Sequence, residues 1–116
     1  MDLEAVRREA LALPESTEAP HFDMTSFRVR GRIFATAPPA GDRIHLFVGE
    51  DEVKACVAAG PGVFDELWWG RRLSGVRVNL ADADPGQIGE LLHEAWRRKA
   101  PKRLVAAYDA ARAAGR

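Results

Sequence analysis

The apolar residues of this chain change their spacing twice, and that change sets the fold class before any motif is weighed. Asp2–Leu13 places Leu3, Val6, Ala10 and Leu13 at helical intervals, with Glu4, Arg7, Arg8 and Glu9 opposite. Pro14 ends this helix, since it has no amide donor and restricts the residue before it. After a polar connection, Glu15–Met24, the period falls to two. Thr25–Val29 and Arg32–Ala37 flank Arg30-Gly31, whose glycine can take the positive φ of a tight hairpin. A two-residue loop sets Phe27 across from Phe34 with Val29 on their side, and Arg28, Ile33 and Ala35 on the other. A three-residue loop would pair Val29 with Ile33 instead. Beyond the turn Pro38–Asp42, Arg43–Val48 alternates, with Ile44, Leu46 and Val48 pointing one way and Arg43, His45 and Phe47 the other. Gly75–Leu80 repeats the pattern, with Arg77 and Asn79 outward.

Helical punctuation returns around and after these strands. Glu50-Asp51-Glu52 puts negative charge at the positive end of a helix that Gly60-Pro61-Gly62 stops. Val63–Gly70 reads as a turn of helix or a short irregular connection. Asp84-Pro85-Gly86-Gln87 combines an N-cap, a proline at the first helical position and a capping-box glutamine. Ile88, Leu91, Leu92, Ala95 and Trp96 form the stripe that follows. Pro101 interrupts it, Leu104, Val105 and Tyr108 continue it, and Ala110–Arg116 is expected to fray. The order is helix, strands, short helix, strands, two helices. It predicts an α+β domain spanning 1–116: a mainly antiparallel sheet with helices packed on one face and the other face open. At 116 residues a single core is the natural size. Cys56 is the lone cysteine, so no intrachain disulfide can form and a reducing, cytoplasmic setting is expected. No apolar run nears the roughly 18 residues of a membrane span, and Met1–Arg8 is polar rather than signal-like.

The net charge of +0 hides a segregation. Arg28, Arg30, Arg32, Arg43, Arg71, Arg72 and Arg77 fall within Thr25–Ala37, Arg43–Val48 and Arg71–Leu80, stretches that contain no acid. Acids are depleted from strands generally, but that preference does not account for the arginines. A sheet carrying positive charge can hold anions locally even when the chain total is zero.

Two longer stretches resemble a known family. Phe27-Arg28-Val29-Arg30-Gly31-Arg32-Ile33-Phe34-Ala35 is similar to the F-x-V-x-G-K/R-x-F-A signature of the MmcQ/YjbR family, and Pro20-His21-Phe22 with Thr25 resembles the lead-in of one branch. Ala95-Trp96-Arg97-Arg98-Lys99-Ala100-Pro101-Lys102-Arg103-Leu104 resembles that branch's A-W-x-x-x-A-P-K-R-L ending. The likeness runs from the first helix to Tyr108. It implies a small single domain with a CyaY-like (frataxin-like) α-β-α fold and a role in DNA binding through paired hairpins. It carries over no catalytic residue. The strand near Val76 departs from the pattern, which often has Trp there; here the tryptophans are Trp68 and Trp69.

These features give two readings of function. In the first, DNA is the partner. Arg28, Arg30, Arg32, Arg43, Arg71, Arg72, Arg77, Lys102 and Arg103 meet phosphates while His45 or Phe47 stacks on a base. In the second, the chain binds a protein or small molecule through Trp68 and Trp69, of which one is expected to be buried and the other to cover the sheet edge, stack on Arg71 or Arg72, or meet the partner. The run Arg97–Arg103 has a plainer explanation as cations at a helix C-terminus. Three histidines and one cysteine make a metal site improbable; Glu90 and His93 have carboxylate-bridge spacing, but no second such pair exists. His21 and Asp23 could pair locally. Cys56 sits among Ala55, Val57 and Ala58, where an inert buried thiol is the default. No nucleophile elbow, zinc-protease helix or Gly-rich phosphate loop occurs. Neither a reaction nor a cofactor is expected.

Overall fold

In a computed structural model, which describes residues 1–115, the chain folds as six strands and four helices. Helix α1 (Leu3–Leu11) is capped by Asp2, whose carboxylate accepts from the Ala5 amide at 2.8 Å. Then come β1 (Ser16–His21), β2 (Met24–Val29), β3 (Arg32–Ala37) and β4 (Arg43–Leu46). Helix α2 (Glu50–Ala59) leads into β5 (Phe64–Trp69) and β6 (Arg72–Asn79). Helix α3 (Pro85–Lys99) starts on Asp84, whose carboxylate accepts from the Gln87 amide at 3.0 Å, and α4 (Lys102–Ala114) follows. The expected fraying of Ala110–Arg116 is corrected in part: α4 stays helical to Ala114, while Arg116 lies outside the described residues.

All strand pairs are antiparallel in the order β1-β2-β3-β4-β6-β5. The α+β class and the antiparallel sheet agree with the sequence reading, but two edge strands were missed. Glu15–Met24 is largely β1, and Val63–Gly70 is largely β5 rather than a helical turn. With them come acids. Glu18 lies on β1, and Asp65 and Glu66 lie on β5, so the sheet is not free of carboxylates.

The hairpin turn of β2 and β3 holds two residues, Arg30 and Gly31, both at positive φ, with Val29 opposite Arg32. Its register nevertheless differs from the expectation. Phe34 is an additional residue on β3, so Phe27 faces Ala35 across a β-bulge. The bulge turns Ala35 into the core together with Phe27, Val29 and Phe34, whereas strict alternation would have left Ala35 outside.

One apolar core lies between the sheet and the helices. The strands contribute Phe27, Val29, Ala37, Ile44, Leu46, Val76 and Val78; α1 contributes Val6 and Ala10, α2 Val53 and Cys56, and α3 Ile88, Leu92 and Trp96. Trp96 is fully buried, and its indole donates to the Pro14 carbonyl at 3.1 Å. Helix α4 buries no residue completely. It lies outside α3, with the Tyr108 ring edge-on to Trp96 at 5.1 Å. Helices α1 and α3 pack over β1 to β4 and α2 over β5 and β6. The opposite sheet face carries the cross-strand row Ala19, Ser26, Thr36, His45, Arg77 and Asp65.

Candidate binding groove on the uncovered sheet face

That row starts from residues that a pleated strand must turn away from its helices. Ser26 and Thr36 are buried although they point away from the core, and each is satisfied locally. Ser26 Oγ donates to the Ala19 carbonyl at 2.8 Å and accepts from Arg28 Nε at 2.9 Å; Arg28 Nη2 also donates to the Pro20 carbonyl. Thr36 Oγ1 and His45 Nδ1 lie 3.4 Å apart. His45 is held below the ordinary imidazole pKa, first by burial and then by the guanidinium groups of Arg77 and Arg43.

A groove of about 550 Å³ crosses this face. Thr36 and His45 line it in the middle of the sheet, His21 and Met24 at the β1–β2 turn, and Leu67, Trp68, Trp69, Arg72 and Ser74 at the β5–β6 hairpin. Both outer hairpins therefore border one concavity, as the twist of an open sheet allows by lifting diagonal corners to the same side. The remaining wall is the Phe47–Glu50 segment with Arg98 and Lys99 of α3. Gly75 makes the close approach at this end possible: a Cβ there would lie 2.1 Å from the Leu46 carbonyl oxygen and 3.1 Å from the Phe47 Cα.

The two sequence readings thus meet. His45, Phe47 and Arg72 from the basic-sheet set and Trp68 and Trp69 from the aromatic set line the same groove. The expectation that one tryptophan is buried is corrected, since Trp68 is 51% and Trp69 81% exposed. They sit at the end of an edge strand, β5, whose core contact is made by Phe64 at its other end, while Leu73, opposite Trp68 on β6, is the residue buried at this end of the hairpin.

The other basic residues are dispersed. Arg43 and Arg77 share the uncovered face, with Arg77 opposite Asp65. Arg30 is ion-paired with Glu15, which raises its pKa and lowers that of Glu15. Arg32 donates to the Lys99 carbonyl at 3.2 Å, and Arg71 occupies the β5–β6 turn. Lys102 and Arg103 are exposed on the first turn of α4, away from the groove lining. Asn79 caps the short turn Leu80–Asp82 and is not free for a ligand. His21 meets Phe22 edge-on at 4.8 Å, and no hydrogen bond joins it to Asp23 among the described residues.

Arg98 and Lys99 are the groove residues that sequence reasoning set aside. Arg97, their neighbour, pairs with Asp109 of α4 through two bonds of 2.6 and 2.8 Å. Arg98 instead donates to the Phe47 carbonyl. Lys99 is depressed from the usual lysine pKa, chiefly by burial, then by Arg32, Arg98 and Arg72. Nothing in a one-dimensional charge run could reveal a meeting with β6.

On the helical side, a crevice of about 770 Å³ between α1, α2, α3 and α4 is lined by Glu9, Glu52, Glu90, His93 and Glu94. Among the described residues no cluster of His, Cys, Asp and Glu could hold a metal ion, and no helix is long and apolar enough to cross a membrane. Cys56 is buried and its thiol pKa is raised, by burial first and then by Glu52, in keeping with an inert residue.

Comparison with known proteins agrees with this architecture. The YjbR family model matches residues 11–98. Uncharacterised proteins of Mycobacterium bovis and of Mycobacterium tuberculosis are 38% identical over 72 residues, which is 61% of this chain and 56% of each relative. The matched stretch is thus little more than half of those relatives' length. The crystal structure of Deinococcus radiodurans protein DR2400, with a DUF419 domain, superposes with a TM-score of 0.72 at 22% identity, over 80% of this chain and 74% of that one. That likeness is one of fold.

Proposed function

The chain belongs to the YjbR family, and from the groove on its sheet we propose that it is a binding protein without a reaction of its own, whose partner is single-stranded nucleic acid. One observation carries this reading: two exposed tryptophans line the same concavity as Arg72, Arg98 and Lys99. Bases stack on indole faces whatever their identity, while guanidinium and ammonium groups meet the phosphates between them. A concave site bordered by two hairpins suits a flexible strand better than a stiff duplex, which is read by an element protruding into its groove. Arg43 and Arg77 extend the basic path along the same face. With a net charge of +0, attraction is local, so binding should be of short range and sensitive to salt.

Titration of the intrinsic tryptophan fluorescence with single-stranded and duplex oligonucleotides of one sequence, at two salt concentrations, tests the reading. Single strands should quench and bind more tightly, with affinity falling as salt rises. Equal affinity for the duplex, or no binding of the single strand at low salt, would overturn it.

The groove's size favours a second reading. A volume of about 550 Å³ lies within the range of small-molecule sites, so a single anionic ligand bearing one planar ring would fill it.

A further inference from the structure

Four cations from three elements converge at one end of the groove. Arg32 comes from the start of β3, Arg72 from the start of β6, and Arg98 and Lys99 from the last turn of α3. Arg72, Arg98 and Lys99 line the cavity, and Arg32 is close enough to act on Lys99 electrostatically. The negative end of the α3 dipole accounts for part of this gathering. Arg32 donates to the Lys99 carbonyl, as a C-capping cation would. The dipole does not account for Arg72, which arrives from a separate hairpin, nor for Arg98, whose guanidinium is turned to the Phe47 carbonyl.

None of these four forms an ion pair among the described residues. Glu50 is the one acid in the groove lining, and His21 and His45 are the other titratable groups that face it. The mutual repulsion is visible in Lys99, whose ammonium form is disfavoured by burial and by the three arginines together. Concentrated positive charge of this kind holds a dianion more strongly than the single charge of a phosphodiester linkage. On the same rim α2 begins at Gly49 without any side-chain cap, which leaves its first amides without a side-chain acceptor.

We infer that Arg72, Arg98 and Lys99, backed by Arg32, form a subsite for a terminal phosphate monoester, placed so that the attached base reaches Trp68 or Trp69. The inference rests on the reading of the groove as a nucleic-acid site and names the group it holds most tightly. A 5′-phosphorylated strand end and a free mononucleotide share this chemistry.

The test uses the whole chain and follows tryptophan quenching and the melting temperature. Its ligands are a 5′-phosphorylated oligonucleotide, the same sequence ending in hydroxyl, adenosine 5′-monophosphate, adenosine and inorganic phosphate. The terminal phosphate should tighten binding by about tenfold or more, as charge-assisted bonds do. Arg72→Gln and Lys99→Gln should each remove most of that difference, weakening the phosphorylated strand far more than the hydroxyl-ended one. Arg72→Gln leaves α3 untouched, so its effect cannot come from a displaced helix. Arg103→Gln on α4 should change nothing. Equal affinity for phosphorylated and hydroxyl ligands overturns the inference and leaves the nucleic-acid reading standing. Tight monophosphate binding without oligonucleotide binding supports the subsite and the small-ligand reading. If no nucleotide binds but inorganic phosphate raises the melting temperature, and Arg72→Gln and Lys99→Gln abolish the rise, the subsite survives and the nucleic-acid reading falls. No response to any of the ligands overturns both.

Discussion

Arg98 donates to the carbonyl oxygen of Phe47 at 3.3 Å, joining residues 51 apart in sequence. The bond ties the last turn of α3 to the segment where β4 gives way to α2. It fastens the helical layer to the end of the sheet and holds a cation at the groove rim. Because Arg98 is exposed, water replaces most of what the bond contributes. Arg98→Ala should therefore cost about 1 kcal/mol or less in stability. Its larger effect should be on ligand affinity, and denaturant melts run beside titrations would separate the two.

Trp69 is the more exposed of the two hairpin tryptophans and has little packing to lose. Trp69→Ala should leave the unfolding free energy within roughly 0.5 kcal/mol of the parent. Loss of a stacking surface should weaken single-strand binding by about 1–3 kcal/mol. A variant that binds oligonucleotide as well as the parent would remove this residue from the site.

Gly75 faces the opposite constraint. A methyl group at this position would meet the Leu46 carbonyl oxygen at 2.1 Å, and a backbone atom cannot swing aside as a side chain can. Gly75→Ala should push β6 away from β4 and cost on the order of 2–4 kcal/mol. It should also distort the groove wall at Phe47. Thermal or urea unfolding gives the first effect directly.

His45 makes stability depend on pH in a definite direction. Its folded pKa lies below the ordinary 6.5 because burial, Arg77 and Arg43 all disfavour the imidazolium. As pH falls past 6.5, the unfolded chain takes up the proton first. The contribution is therefore complete above that pH and is lost as pH falls through the depressed folded value. His93 shifts the same way, through burial first and then Arg112, with Glu9 and Glu94 opposing, so it adds to the slope. His45→Gln should flatten the fall in melting temperature between pH 7 and 5, and the double change with His93→Gln should flatten it further. An anion bound in the groove would favour the imidazolium, so its affinity should rise over the same interval.

Much of the architecture was legible because burial imposes a period. Val6 and Ala10, Ile44 and Leu46, Val76 and Val78, and Ile88, Leu92 and Trp96 all fell where spacing placed them. The edge strands were hidden for the same reason in reverse. Ser16–His21 and Phe64–Trp69 each bury little, so Glu18, Pro20, Asp65 and Glu66 break any alternation. The bulge at Phe34 was beyond reach, since a single additional residue leaves composition unchanged while turning Ala35 to the other face. For the site, the arginines and tryptophans were visible but their meeting was not. Residues 47, 72 and 98 come together only through the close crossing of β6 past β4 and the bond from Arg98.

Trp96 offers a probe of the same geometry from inside. It is fully buried, donates to the Pro14 carbonyl and meets Tyr108 edge-on, whereas the other two tryptophans of the chain are exposed. With Trp68→Phe and Trp69→Phe combined, all indole emission comes from Trp96. It should be shifted to shorter wavelength, resist quenching by iodide, and stay constant when oligonucleotide is added. Adding Trp96→Ala to the parent should cost about 3–5 kcal/mol, the range for removing a large aromatic from a core. Emission from the double variant that responds to oligonucleotide would mean that binding reaches the helical layer, against a site confined to the uncovered face.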